Sequence, residues 1–229
     1  MMIIVRIFPS GNLDEAWNRI LDHLESISSQ HCIPLYLSQQ EEKNFMSLVY
    51  DVVDTDFLYD ILVNRIPSVL QTEKTRTITL LKPAFFPAPR NRPENLERYQ
   101  VALKAVSQEL KNVFNRVLDL RYPKDAFPTY VAYSFGEDDI LASMLSTSRA
   151  RVNQFVKENL EPLKGVTSVE VSLINRSKRV APALMWKEYK EGKYVYKPSP
   201  EQEESDFLGR TTLPDARDRE LETSNSSFW

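Results

Sequence analysis

The chain has 229 residues, 42% of them hydrophobic and 27% charged, with a formal net charge of -3, the composition of a soluble globular protein of one large or two small domains. Its five glycines, one cysteine and two histidines exclude by scarcity: no P-loop or dinucleotide-binding glycine turn can be built, nor an internal disulfide or thiolate metal centre. A lone thiol fits a reducing compartment.

Charge is unevenly placed. Residues 201–229 carry eight acids against three arginines, which leaves residues 1–200 at +2 without a lysine or arginine run. Such a body has no electrostatic footprint for direct nucleic-acid binding. The start, Met-Met-Ile-Ile-Val-Arg, lacks the pattern of a signal peptide, and no apolar run reaches membrane-spanning length. A cytoplasmic location without membrane contact is expected.

In chain order, Ile3 to Phe8 reads as a strand stopped by Pro9-Ser10-Gly11. Asn12 is an N-cap with Glu15 three residues on, and Leu13, Ala16, Trp17, Ile20, Leu21, Leu24 and Ile27 follow helical spacing. Ile33 to Leu37 and Phe45 to Val53 are strands around the polar turn Gln39 to Asn44. A helix then runs from Asp54 or Thr55 to Pro67, and Thr75 to Leu81 is a strand. The order is β-α-β-β-α-β, the ferredoxin-like unit. Residues 82–183 repeat it: a long helix predicted from Pro93 through Leu96, Tyr99, Leu103, Val106, Leu110, Val113 and Val117; strands Thr129 to Phe135 and Ile140 to Leu145; a helix from Ser148; Gly165 as a C-terminal cap; and a strand, Val166 to Ile174.

Several strands, Ile3-Ile4-Val5 among them, are apolar on both faces, and two helices cover only one face of a four-stranded sheet. The prediction is an α+β fold of two tandem ferredoxin-like units, 1–81 and 82–183. They pack sheet to sheet as an α+β barrel within one chain or against another copy. Residues 184–229 read as an arm in which Trp186, Tyr189, Tyr194 and Tyr196 interleave with lysines, followed by a disordered acidic tail ending in Phe228-Trp229. The arm packs back on the domain or stacks on bases, and the terminal aromatics fray or dock on a partner.

The turn Ser134-Phe135-Gly136-Glu137-Asp138-Asp139 carries the strongest local signal. Gly136 permits positive φ, and three acids beside free backbone amides suit the ammonium of an amino-acid-like ligand, though equally a solvated hairpin. Thr129 to Ala142, followed by a helix and then Gly165-Val166-Thr167-Ser168-Val169, resembles the ligand-binding domain of the leucine-responsive (Lrp/AsnC) regulators. Gly136, Asp139, Gly165, Val166 and Val169 match that family's pattern over residues 129–180; residues 1–80 match in topology only. The resemblance implies a sheet-paired ferredoxin-like fold that binds an amino acid or related small metabolite. The effector residues would be Tyr133, Ser134, Gly136, Glu137, Asp138 and Asp139.

The chain opens on a strand, without a helix-turn-helix, so the expected output is homo-oligomerisation or co-assembly with a DNA-binding relative. Tandem ferredoxin-like chains of this size also resemble the chlorite-dismutase and coprohaem-decarboxylase group, whose haem-ligating histidine shortly precedes a similar turn. Here that place is Tyr133-Ser134-Phe135, and no histidine follows His31. His31 and Cys32 are adjacent and point to opposite faces of a strand, and no carboxylate pair is forced together. Neither a catalytic residue, a metal site nor a cofactor is therefore predicted.

Overall fold

A computed structural model of the chain describes residues 1–89 and 91–181. β1 (Met2–Pro9) leads through Ser10 and Gly11 to α1 (Leu13–Asp22). Asn12 caps α1 as expected: it is extended, and its Oδ1 accepts from the backbone N–H groups of Asp14 at 2.8 Å and Glu15 at 3.2 Å. The helix stops earlier than the spacing predicts, but Ile27 is still fully buried and its carbonyl accepts a hydrogen bond from Tyr50 Oη at 3.1 Å.

β2 (Cys32–Gln40) and β3 (Met46–Val52) follow, then α2 (Thr55–Asp60), which runs through a π-helical turn, Ile61–Arg65, into α3 (Ile66–Val69). The expected stop at Pro67 does not occur. Pro67 stands in the first turn of α3, directly after the π-helical turn, and the helical run continues past it to Val69. β4 (Thr72–Phe85) outruns the expected Thr75–Leu81 because a register shift between Leu81 and Ala84 absorbs Pro83.

The long helix predicted from Pro93 is wrong over its first half. Glu97–Ala105 is strand β5, and only Leu110–Asp119 is helical, as α4. β6 (Ala126–Phe135) and β7 (Ile140–Ser146) form a hairpin. α5 (Arg149–Phe155) starts at Ser148, whose Oγ accepts from the Arg151 N–H at 3.2 Å, and continues through a π-helical turn to Leu160. β8 (Val166–Arg179) closes the series.

All eight strands join one closed antiparallel barrel in the order β1-β3-β2-β8-β5-β7-β6-β4, with β4 returning to β1. Each ferredoxin-like half supplies four consecutive strands. The halves join by hydrogen bonds at two seams, β2 to β8 and β4 to β6, so neither half keeps a free sheet edge.

The outer face is the apolar one. Ile3, Val5, Ile7, Leu37, Met46, Leu48 and Tyr50 pack with Trp17 and Ile20 of α1 and with Leu58, Ile61 and Ile66 of the second helical run. Strand alternation therefore turns Ile4, Arg6, Tyr36, Ser38, Gln40 and Ser47 inward. The pairing register adds Arg98, Gln100, Ser143 and Ser172 to the same face. The interior is thus richly polar, where the sequence suggests two apolar faces. Gln40 Nε2 donates to Gln100 Oε1 across it at 2.8 Å. No helix among the described residues is long and apolar enough to cross a membrane. The predicted arm and acidic tail, from residue 184 on, lie outside the described residues.

Candidate effector turn

The turn between β6 and β7 lies against β4 and the end of β5. Gly136 has φ of +151°, and a Cβ there would lie 3.2 Å from Ile78 Cγ1 and 3.6 Å from the Thr77 carbonyl oxygen on β4. Glycine is what lets the turn lie this close to its neighbour. Inside the turn, Ser134 N–H donates to the Asp139 carbonyl at 2.9 Å and Ser134 Oγ to the Asp138 carbonyl at 2.5 Å.

The three acids have three different tasks. Asp139 Oδ2 accepts from the Ala105 N–H at 2.8 Å, and the Asp139 N–H donates to the Leu103 carbonyl at 3.0 Å, which fastens the turn to the end of β5. Glu137 takes Arg6 of β1 on one carboxylate oxygen and Arg76 of β4 on the other. Arg6 itself is only 6% exposed and lies over the Phe45 ring at 4.9 Å.

Asp138 is partly buried, and its carboxylate receives no hydrogen bond among the described residues. Desolvation raises its pKa; the charges of Arg6 and Lys104 lower it, and those of Glu137 and Glu170 raise it, so the net shift is upward. For Glu137 desolvation also acts upward, but the Arg76 hydrogen bond and the charges of Arg6 and Arg76 outweigh it and hold the carboxyl below the usual glutamate value of 4.5. Such a group adds stability above its ordinary pKa that is lost as pH falls through the depressed one. Denaturation midpoints at pH 7 and pH 3 should therefore fall further for the wild type than for Glu137→Gln. Equal losses would mean the two arginines do not stabilise the ionised carboxylate.

The six residues predicted for the effector site do not share one face. Ser134 is 5% exposed and points into the barrel, whereas Tyr133 turns outward and stacks on Phe114 of α4, with ring centroids 3.8 Å apart. Gly136, Glu137, Asp138 and Asp139 come together with Ser134; Tyr133 backs the sheet from the other side. Sequence reasoning missed Arg6 and Arg76. The signal was present, because an arginine inside Ile3-Ile4-Val5-Arg6-Ile7 must be buried with a partner or face a polar interior.

Elsewhere, Glu109, Asn112, Asn115, Arg116, Asp119 and Lys164 line a shallow groove on α4. Lys164 Nζ already contacts Glu109 Oε1 there at 2.7 Å. Among the described residues no three His, Cys, Asp or Glu side chains group as metal ligands.

No protein-family model matches the chain, and no curated protein matches it. Solved structures do match it. The siroheme decarboxylase NirDL in co-complex with an iron-uroporphyrin III analogue superposes with a TM-score of 0.55 at 7% identity, covering 83% of this chain and 79% of that one. A second structure of the same enzyme gives 0.55 at 6% identity over 79% and 73%. AsnC from E. coli aligns over 39% of this chain and 56% of its own at 10% identity, with a TM-score of 0.31, too low to build on. The likeness is one of fold. It places this chain among α+β barrels built from ferredoxin-like halves and leaves the choice of function to its own residues.

Proposed function

We propose that the protein is a non-catalytic sensor of a small amino-acid-like molecule, bound at the turn Ser134 to Asp139. The observation that supports this reading is the division of labour in the turn. Glu137 and Asp139 bind it to β1, β4 and β5, while the Asp138 carboxylate stays uncommitted beside the backbone amides of its tip. An ammonium group suits that carboxylate, and a ligand carboxylate suits the amides. Because Arg6 and Arg76 come from the first half of the chain and Ala105 from the second, a ligand here acts on both halves. Tyr133 takes no direct part, being on the helix side of the sheet. The output is self-assembly or co-assembly with a DNA-binding relative, checked by size-exclusion chromatography of the protein with and without its ligand.

A thermal-shift screen of the proteinogenic amino acids tests the site. A ligand at 100 times its Kd adds about 2.7 kcal/mol, and Asp138→Asn should abolish the gain. Acidification should weaken binding as Asp138 protonates, starting above the ordinary aspartate range because its pKa is raised. A screen with no response, or a response that survives Asp138→Asn, overturns the assignment.

The second reading, a haem-binding enzyme, is favoured by the fold shared with the siroheme decarboxylase. The residues do not fit axial ligation. Tyr133, ahead of the turn, is stacked on Phe114, His23 Nδ1 lies 3.0 Å from the Arg19 carbonyl, and His31 packs against Phe57. Titration with haemin separates the readings, since a saturable shifted Soret band would replace the sensor with the haem protein.

A further inference from the structure

We propose that the small molecule received at the turn is an acidic amino acid, glutamate or aspartate, and that Lys104 binds its side-chain carboxylate. This rests on the sensor reading above and names the class of its ligand. Lys104 is held against the turn by two hydrogen bonds that bracket it. The Asp139 N–H donates to the Leu103 carbonyl at 3.0 Å, and the Ala105 N–H donates to Asp139 Oδ2 at 2.8 Å. Strand alternation sets the Lys104 side chain on the face of β5 shared by Arg98 and Gln100, the face to which Ser134 also points. Leu103, on the opposite face, is fully buried, whereas Lys104 is exposed.

Most charged groups around the turn already have partners. Glu137 holds Arg6 and Arg76, and Asp139 is committed to the Ala105 amide. Glu170 of β8 stands two positions beyond Ser168, the cross-strand partner of Lys104, and its Oε1 holds Lys43 Nζ at 2.8 Å. Asp138 and Lys104 are left over. Lys104 is near enough for its charge to act on the Asp138 carboxyl, yet no ion pair joins them. Neither side chain makes a hydrogen bond or an ion pair with any other described residue.

A half-buried carboxylate and an exposed ammonium, within each other's field but out of contact, are bridged by a ligand that carries both signs. The ligand's α-ammonium supplies the counter-charge that Asp138 lacks, and its α-carboxylate goes to the backbone amides of the tip. With both groups of the amino-acid head engaged, the ligand's side chain is what faces Lys104. A second carboxylate there forms an ion pair, a carboxamide of the same shape does not, and a cationic side chain is repelled. Both protein groups are reachable from solvent, Lys104 being exposed and Asp138 partly so.

Isothermal titration of the full chain with glutamate, aspartate, glutamine, asparagine and lysine tests the proposal. At least one acidic amino acid should bind roughly fivefold more tightly than its own carboxamide, the size of a partly exposed ion pair. Lys104→Gln should erase that difference, and Lys104→Glu should turn the preference toward lysine. Because the Lys104 side chain holds no bond of the fold, both variants should unfold at the denaturant midpoint of the wild type. Equal binding of each acid and its carboxamide, or a preference for the acid that survives Lys104→Gln, overturns the proposal. So does binding of another proteinogenic amino acid through Asp138 when neither acidic one binds. Each of these results leaves the sensor reading standing, whereas binding of no proteinogenic amino acid overturns both.

Discussion

Replacing Phe114 by alanine is expected to cost about 3–5 kcal/mol, the range for deleting a buried aromatic ring. The side chain is 4% exposed, and it meets Tyr133 face to face between α4 and β6. Its loss removes both its own buried area and the stack that holds Tyr133 flat against the sheet. At about 2–4 °C per kcal/mol for a protein of this size, the melting temperature should fall by roughly 10 °C. Phe135, only 21 positions on, is 61% exposed, and Phe135→Ala should leave the melting curve nearly unmoved. The contrast carries the test: equal effects at the two positions would show that α4 does not pack over the outer face of β6.

Gly165→Ala should cost about 3 kcal/mol through a different mechanism. Gly165 has φ of +97°, and a Cβ there would come within 2.4 Å of Glu109 Cβ and 3.0 Å of its Cγ. The left-handed backbone costs an alanine about 1–2 kcal/mol, and the collision adds a further cost of similar size. Relief by movement is restricted, because the Gly165 carbonyl accepts from the Val106 N–H at 2.8 Å and fixes the start of β8 to the end of β5. Chemical denaturation measures the effect. A loss below about 1 kcal/mol would mean that the junction between α4 and β8 relaxes freely. Gly165 is therefore a steric requirement of the junction, independent of any ligand.

Local signals carried most of the fold. Asn12 and Ser148 cap their helices as their types and positions predict, and the β-α-β-β-α-β order of residues 1–81 follows from the alternation of strand and helix periods. The segment Pro93 to Ala105 misled because Tyr99, Leu103, Val106 and Leu110 fit helical spacing while Tyr99, Val101 and Leu103 fit a strand. Period alone cannot decide when both faces of a strand are partly buried. The decision comes from pairing: β5 lies between β7 and β8, and a helix there would leave each of them with one unpaired edge and open the barrel.

The same ambiguity concealed the interior. Tyr36-Ser38-Gln40 in β2 and Arg98-Gln100 in β5 already show polar side chains at alternate positions, although apolar runs such as Ile3-Ile4-Val5 dominate the eye. Gly136 was legible as the pivot of a turn. What the individual acids do was not, since Glu137 meets Arg6 and Arg76, and Asp139 meets Ala105, only after strands distant in sequence come together.

The central claim is that the turn from Ser134 to Asp139 receives a small ligand, and amide NMR on the isotopically labelled full chain tests it most directly. Titration with the best amino acid from the thermal screen should move the resonances of Gly136, Glu137 and Asp138 in a saturable way, with smaller changes at Ala105 and Arg6. Shifts confined to the α4 groove or to the interior around Arg98, with the turn amides unmoved at saturation, would contradict the account.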